Sequence, residues 1–246
     1  MDQLKNAIKN TPLISIIYNI LRNGDRALRK IFNPLNKKST EDIFTDIYKT
    51  NAWGGIQPAS GPGSDPNETR ILISELQTLF EDINISTMLD IPCGDFQWMK
   101  NVDLSNVEYI GADIINELIQ TNDRKFSKKG IKFQQLNLIQ DKLPRVDLVL
   151  CRDCLVHLSL TDNFLALSNI CKSNSKYLLT TIFTDRKENR DIITGQWHPL
   201  HLAREPFSPP QPIKLINEGC MEGDGAYKDK SLGLWEIAEI RDSIKK

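Results

Sequence analysis

The sequence has no uninterrupted apolar run near the roughly 20 residues that a membrane-crossing helix needs. Its best early candidate, residues 12–21, is far shorter and leads into Arg22, Arg26, Arg29 and Lys30 instead of a small-residue cleavage pattern, which argues against a secretory signal. Charge of one sign is also missing. Lys plus Arg number 31 and Asp plus Glu 32, a formal net charge of -1, so the basic footprint of a nucleic-acid or anionic-membrane binder is absent and no nucleic-acid partner is expected. Cysteine is scarce and odd in number, five residues scattered from Cys93 to Cys220. That is no disulfide framework; reduced thiols in a cytoplasmic protein are the expectation. Histidine is rarer still: His157, His198 and His201 are all there is. No internal repeat and no low-complexity tract interrupts the chain.

What is present suits a soluble globular chain: 246 residues, 40% apolar and 26% charged, enough for one medium domain with an extension. Residues 1–50 read as a helical N-terminal extension. Leu13, Ile16, Ile17, Ile20 and Leu21 fall on one helical stripe, which suits a core-packing or partner-facing helix. The basic residues around it leave room for weak membrane-surface contact by residues 13–30, without stable insertion. Residues 51–246 form the main domain. It opens with a Gly-, Pro- and Ser-dense loop, Trp53-Gly54-Gly55 and then Ser60-Gly61-Pro62-Gly63-Ser64-Asp65-Pro66. Helical spacing resumes from Glu68 through Ile71, Ile73, Leu76, Leu79 and Phe80.

Strand and helix signals then alternate. Strands are expected at residues 87–91, 107–113, 131–136, 146–151 and 176–183, with two late runs at 212–217 and 232–240 completing the sheet. A helix over residues 115–129 should stop at Gly130, and Ser159-Leu160-Thr161-Asp162 reads as a capping box for the next helix. The pattern predicts an α/β fold: a Rossmann-like, mostly parallel seven-stranded sheet with helices on both faces and an N-terminal helical and loop extension.

Chemistry concentrates where the first of these strands ends, in Leu89-Asp90-Ile91-Pro92-Cys93-Gly94-Asp95-Phe96. In open α/β sheets ligands dock beyond the carboxyl ends of strands, where a glycine lets the backbone come close. Asp90 and Asp95 would repel a pyrophosphate but suit a ligand carrying an ammonium and a sulfonium. Pro92 and Phe96 also stand where a dinucleotide-binding G-x-G-x-x-G would need glycines. A further acid, Asp113, closes the next strand 23 residues after Asp90. That is near the spacing of about 20 at which a carboxylate takes ribose hydroxyls in this topology.

These residues, together with Asp147-Leu148-Val149-Leu150-Cys151-Arg152-Asp153-Cys154-Leu155-Val156-His157-Leu158, resemble the class I S-adenosylmethionine-dependent methyltransferases over residues 85–240 or so. The resemblance implies S-adenosyl-L-methionine as cofactor. By position, Asp90, Pro92, Cys93, Gly94 and Asp95 would hold its methionine part. Asp113 with Ile114 would hold the ribose, Asn137 with Leu138 the adenine, and Arg152 and Asp153 would face the transferable methyl. The turn has fewer glycines than is usual in the family, and Asn137 stands where many members have Asp. Residues 51–70 resemble a lid found in a bacterial subset of the family. The implied reaction is methyl transfer to an oxygen or nitrogen of a small-molecule or glycan acceptor.

Displacement at a sulfonium needs alignment and exclusion of water, and a hydroxyl or amine acceptor also benefits from a general base. His157, Asp153 and His201 are the candidates. Trp53, Trp197 and His198 are candidate walls of the acceptor pocket. Cys151 and Cys154 have C-x-x-C spacing with His157 nearby, yet no second C-x-x-C completes a zinc set, so no metal is expected. Alternative readings are a protein methyltransferase, a non-catalytic binding module on this fold and, last, a nicotinamide-dependent oxidoreductase.

Overall fold

Apolar runs closed by turn residues become strands, and the computed structural model describes them within residues 38–54, 60–207 and 209–244. The Leu13–Leu21 stripe and the surface contact expected of residues 13–30 lie outside the described residues. From Thr40 onward the chain forms one unit. Its helices are α1 (Thr40–Thr50), α2 (Pro66–Asp82), α3 (Asn116–Phe126), α4 (Leu160–Lys172) and α5 (Ile237–Ile244). Its strands are β1 (Thr87–Asp90), β2 (Glu108–Asp113), β3 (Ile131–Gln135), β4 (Leu148–Cys151), β5 (Tyr177–Phe183), β6 (Lys214–Asn217) and β7 (Lys230–Glu236).

The seven strands make one mostly parallel sheet, as the alternating pattern leads one to expect, and their order is β3-β2-β1-β4-β5-β7-β6. β1 pairs in parallel with both β2 and β4, β2 with β3, and β4 with β5, whereas β7 runs antiparallel to β5 and β6. The strand order reverses between β1 and β4, and a crevice opens there because the connections leave in opposite directions. Alternation along β4 divides the core: Leu148 and Leu150 join one apolar cluster, Val149 and Cys151 the other. Leu72, Leu76 and Leu79 of α2 pack on the first face; Leu167 and Ile170 of α4 and Ile237 of α5 pack on the second. Phe44 of α1 also rests on the second cluster.

Caps set the helix starts. The Asp65 side chain accepts the Asn67 N–H at 2.9 Å, with Pro66 in the first turn of α2. Ser159 accepts the Asp162 N–H at 3.1 Å and opens α4 as its sequence suggests.

Two boundaries differ from the sequence reading. α3 ends at Phe126, and Lys128 and Ile131 then exchange backbone hydrogen bonds, so Gly130 at φ 84° serves the turn into β3 instead of the helix terminus. The last run is also not one strand. β7 begins at Lys230 and ends at Glu236, and Ile237 starts α5, because Ile237 and Ile240 at helical spacing both reach the α4-side core. Among the described residues no helix is long and apolar enough to cross a membrane.

Candidate functional site

The carboxyl ends of β1, β2 and β4 open into a cavity of about 530 Å³, a size typical of small-molecule sites. At its inner end stand two buried acids. Asp90, 2% exposed, accepts the Tyr109 hydroxyl at 2.7 Å. Asp113, 4% exposed, accepts the Ile115 N–H at 3.0 Å and the Gly94 N–H at 3.3 Å. Burial pushes Asp90 up to about 7, with the Tyr109 hydroxyl opposing the shift. Burial likewise lifts Asp113 to about 6 against its backbone N–H donors. Two desolvated carboxylates in one pocket are a demand for positive charge or for hydroxyl donors. Gly94 between them needs its missing side chain: it sits at φ 54°, and a Cβ there would come within 2.5 Å of Ser60 Oγ.

Residues 60–64 roof the cavity. Ser60 Oγ accepts the Asp95 N–H at 3.0 Å, and the Gly63 carbonyl accepts from Arg152 Nη2 at 2.7 Å. Trp53 packs its ring 4.5 Å from that of His157.

The end of β4 carries a buried charge network. Arg152 Nη2 meets Glu218 Oε2 at 2.7 Å and its Nη1 lies 3.4 Å from Asp153 Oδ2, while its guanidinium lies over the Trp98 ring. Lys230 Nζ donates to Asp153 Oδ2 at 2.7 Å and stands 3.4 Å from Glu218 Oε2. Asp153 itself is held at φ 50°, with its N–H on Thr181 Oγ1 at 2.8 Å. Burial would raise the Asp153 carboxyl, but Lys230 and Arg152 outweigh it and hold the group well below the usual carboxylate range. Burial opposes charge on Lys230 too, and Asp153 and Glu218 more than restore it. So firmly ionised a carboxylate is a weak proton acceptor, which argues against Asp153 as a general base.

His157 is different. Its Nδ1 lies 3.1 Å from the Gln196 carbonyl, and a carbonyl only accepts, so Nδ1 carries the proton. Burial lowers the imidazole pKa, keeping the ring neutral. Nε2 therefore keeps a lone pair, and it has no hydrogen-bond partner among the described residues.

The cavity wall gathers most of the residues singled out in the sequence: Asp90, Pro92, Cys93, Gly94, Asp113, Ile114, Asn137, Leu138, Arg152, Asp153, His157, Trp53 and Trp197. Three do not reach it. The Asp95 carboxylate turns back to accept the Gln97 N–H at 3.2 Å. His198 and His201 are buried off the wall, because His198 N–H ties its segment to the Val156 carbonyl and His201 N–H bonds Asn189 Oδ1. Arg152 is on the wall but fully engaged by its network. Asn137 Oδ1 already accepts the Ile139 N–H at 2.9 Å, an Asx turn that shapes the wall. Trp197, 40% exposed, stands edge-on to Tyr227 and Phe183 at the rim.

No protein-family model and no curated protein matches the sequence. Solved structures do match. Human N-acetylserotonin methyltransferase, solved in complex with SAM, is 15% identical with a TM-score of 0.53, over 93% of this chain and 68% of that one. The N-methyltransferase NodS of Bradyrhizobium japonicum is 16% identical with a TM-score of 0.52, over 71% of this chain and 98% of that one. The methyltransferase domain of bacterial CtHen1-C is 12% identical with a TM-score of 0.50, over 70% and 98%.

The fold is that of the class I methyltransferases.

On this methyltransferase fold, the wall also holds residues that sequence reasoning passed over: Glu222 and Tyr227 from the β6–β7 connection and Lys230 at the start of β7, with Glu218 behind them. Lys230 left one trace in the sequence, a cation opening an otherwise apolar run, Lys230-Ser231-Leu232-Gly233-Leu234-Trp235. Glu218 left none. Tyr109, which holds Asp90, sits in a strand that the alternation treats as plain core.

Proposed function

We propose that this chain binds S-adenosyl-L-methionine in the cavity and transfers its methyl group to an oxygen or nitrogen of a small-molecule or glycan acceptor. The observation that carries the reading is the pair Asp90 and Asp113: buried acids at the ends of adjacent strands, flanking Gly94 and facing one cavity. Asp90 suits the ligand's cationic methionine end. Asp113 suits paired ribose hydroxyls, and the Leu136–Ile139 wall suits a flat apolar base. Among the described residues lining the cavity the cations are Arg152 and Lys230, both already paired with carboxylates, so nothing at the Gly94 turn favours a pyrophosphate.

When bound, the cofactor supplies an electrophilic methyl group on a sulfonium. The chain's own residues align the acceptor and keep water out, through the roof at residues 60–64 and the aromatic rim of Trp53, Phe183, Trp197 and Tyr227. His157 Nε2 takes the acceptor's proton, with the ring steered by the Gln196 carbonyl. Asp153, fixed by Lys230 and Arg152, orients the acceptor by accepting a hydrogen bond.

Calorimetry with S-adenosylmethionine, S-adenosylhomocysteine and NADH tests the reading. The first two should bind and NADH should not. Absence of binding by both sulfur ligands at millimolar concentration, in folded protein, overturns it.

A further inference from the structure

A cluster of ligand-type side chains lies beside the cavity and plays no part in the function proposed above. Glu68, in the first turn of α2, faces Cys220 and Glu222 of the loop between β6 and β7, and one ligand atom from each lies within 4.8 Å of the other two. The loop is pressed onto the helix. Met221 N–H donates to the Glu68 carboxylate at 3.1 Å, and a Cβ on Gly219, at φ 64°, would fall 2.6 Å from Ile71 Cδ1.

Two observations ask for something between these side chains. Glu222 Oε1 is buried with no hydrogen-bond partner, a state that native proteins rarely leave uncompensated. Cys220 is only 5% exposed, and its thiol is in no disulfide. The charges point the same way. Arg152 and Lys230 are taken up by Asp153 and Glu218, and neither Glu68 nor Glu222 has a cation within 4.0 Å among the described residues. Arg70, the one cation on α2, lines the small cavity beside Glu68 and Glu222 and donates to the Asn67 carbonyl. Glu68 and Glu222 are thus without an ion pair of their own among the described residues, and one divalent cation would match both.

We propose that Glu68, Cys220 and Glu222 bind a divalent cation of the zinc type. A thiolate with two carboxylates suits a borderline-soft ion and disfavours magnesium or calcium, which take oxygen ligands alone. Bond lengths of about 2.0–2.3 Å place tetrahedral ligands roughly 3.5 Å apart, so the cluster closes by at most about 1 Å on binding. Three protein ligands leave one position for water or an incoming donor. Glu222 also lines the cavity, so that position adjoins the rim where the acceptor enters. A second cavity, between Pro62, Glu68, Met221 and Glu222, gives the ion a route in. Bound there, the ion clamps the start of α2, directly after the roof, onto the loop that leads into β7.

The test uses reduced, chelator-treated full-length protein titrated with cobalt(II) alone. Wild type should develop a sulfur-to-cobalt charge-transfer band at one equivalent, reversed by zinc. Cys220→Ser, which keeps the other four cysteines, should lose the band. Glu68→Gln and Glu222→Gln should each weaken cobalt binding by roughly tenfold or more, since loss of even a group behind a ligand costs about that much. A folded wild type with no band at millimolar cobalt overturns the site, and so does a band that survives Cys220→Ser. Should Cys220→Ser fail to fold, unchanged affinity in both glutamine variants overturns it. None of these readouts depends on cofactor binding.

Discussion

Lys230 Nζ lies 2.7 Å from Asp153 Oδ2, joining residues 77 positions apart where the cavity meets the end of β4. This contact ties the first residue of β7 to the turn after β4, and Arg152 and Glu218 complete a group of two cations and two anions that is buried except where Asp153 faces the cavity. Removing one member leaves its partners charged and unmatched. Lys230→Met should therefore destabilise the fold by about 3–5 kcal/mol, read from denaturant midpoints. The double variant Lys230→Met with Asp153→Asn should recover part of that loss. Additive losses would show that the two side chains act independently.

Asp90 and Asp113 should carry cofactor affinity. Asp90→Asn and Asp113→Asn each remove a charged acceptor worth about 1.5–3 kcal/mol, a weakening of roughly ten- to a hundredfold by calorimetry. Unchanged affinity in both folded variants would remove the site assignment.

The same acids set a pH dependence. An acid whose native pKa is raised prefers to be protonated in the fold, so its burial costs nothing below its unfolded pKa and progressively more as pH climbs through the native value. For Asp113 and Asp90 those native values are about 6 and about 7. Ligand-free protein should thus lose stability across roughly pH 4 to 7 from this pair. A cationic ligand matches the ionised forms, so S-adenosylmethionine should bind more tightly as pH rises through the same window. Melting curves with and without ligand at stepped pH check this, and Asp90→Asn should flatten the ligand's contribution. Affinity that falls with rising pH would contradict the assignment.

His157→Ala should lower kcat by about a hundredfold or more once an acceptor is in hand, while S-adenosylhomocysteine affinity changes by no more than about twofold. Because burial lowers the imidazole pKa, the acidic limb of the wild-type rate profile should lie below the ordinary histidine range. His201→Ala, off the wall, should change stability and leave the profile's shape alone. A wild-type rate in His157→Ala would make that ring structural.

What could be seen in the linear chain was what is local. Asp90, Gly94 and Asp113 each end a strand or sit in the turn after one, and strand-end chemistry is written within a few residues. Lys230 and Glu218 reach Asp153 and Arg152 only through the antiparallel β7 insertion between β5 and β6, a pairing across many tens of residues that no spacing rule contains. Proximity in sequence misled at His198 and His201: Trp197 beside them reaches the rim, but the segment is pinned by its backbone and both imidazoles turn into the interior. Asp95 misled for the opposite reason, since an Asp two residues before an N–H acceptor-seeking amide closes its own turn.

One guanidinium touches both the Gly63 carbonyl and the Asp153 carboxylate. A shift of residues 60–64 would therefore be felt at the end of β4, since Arg152 would lose a partner and its grip on Asp153 would readjust. Under the proposed methyl transfer, seating of the first guest beneath that ceiling would be coupled to readiness for the second, which favours an ordered visit.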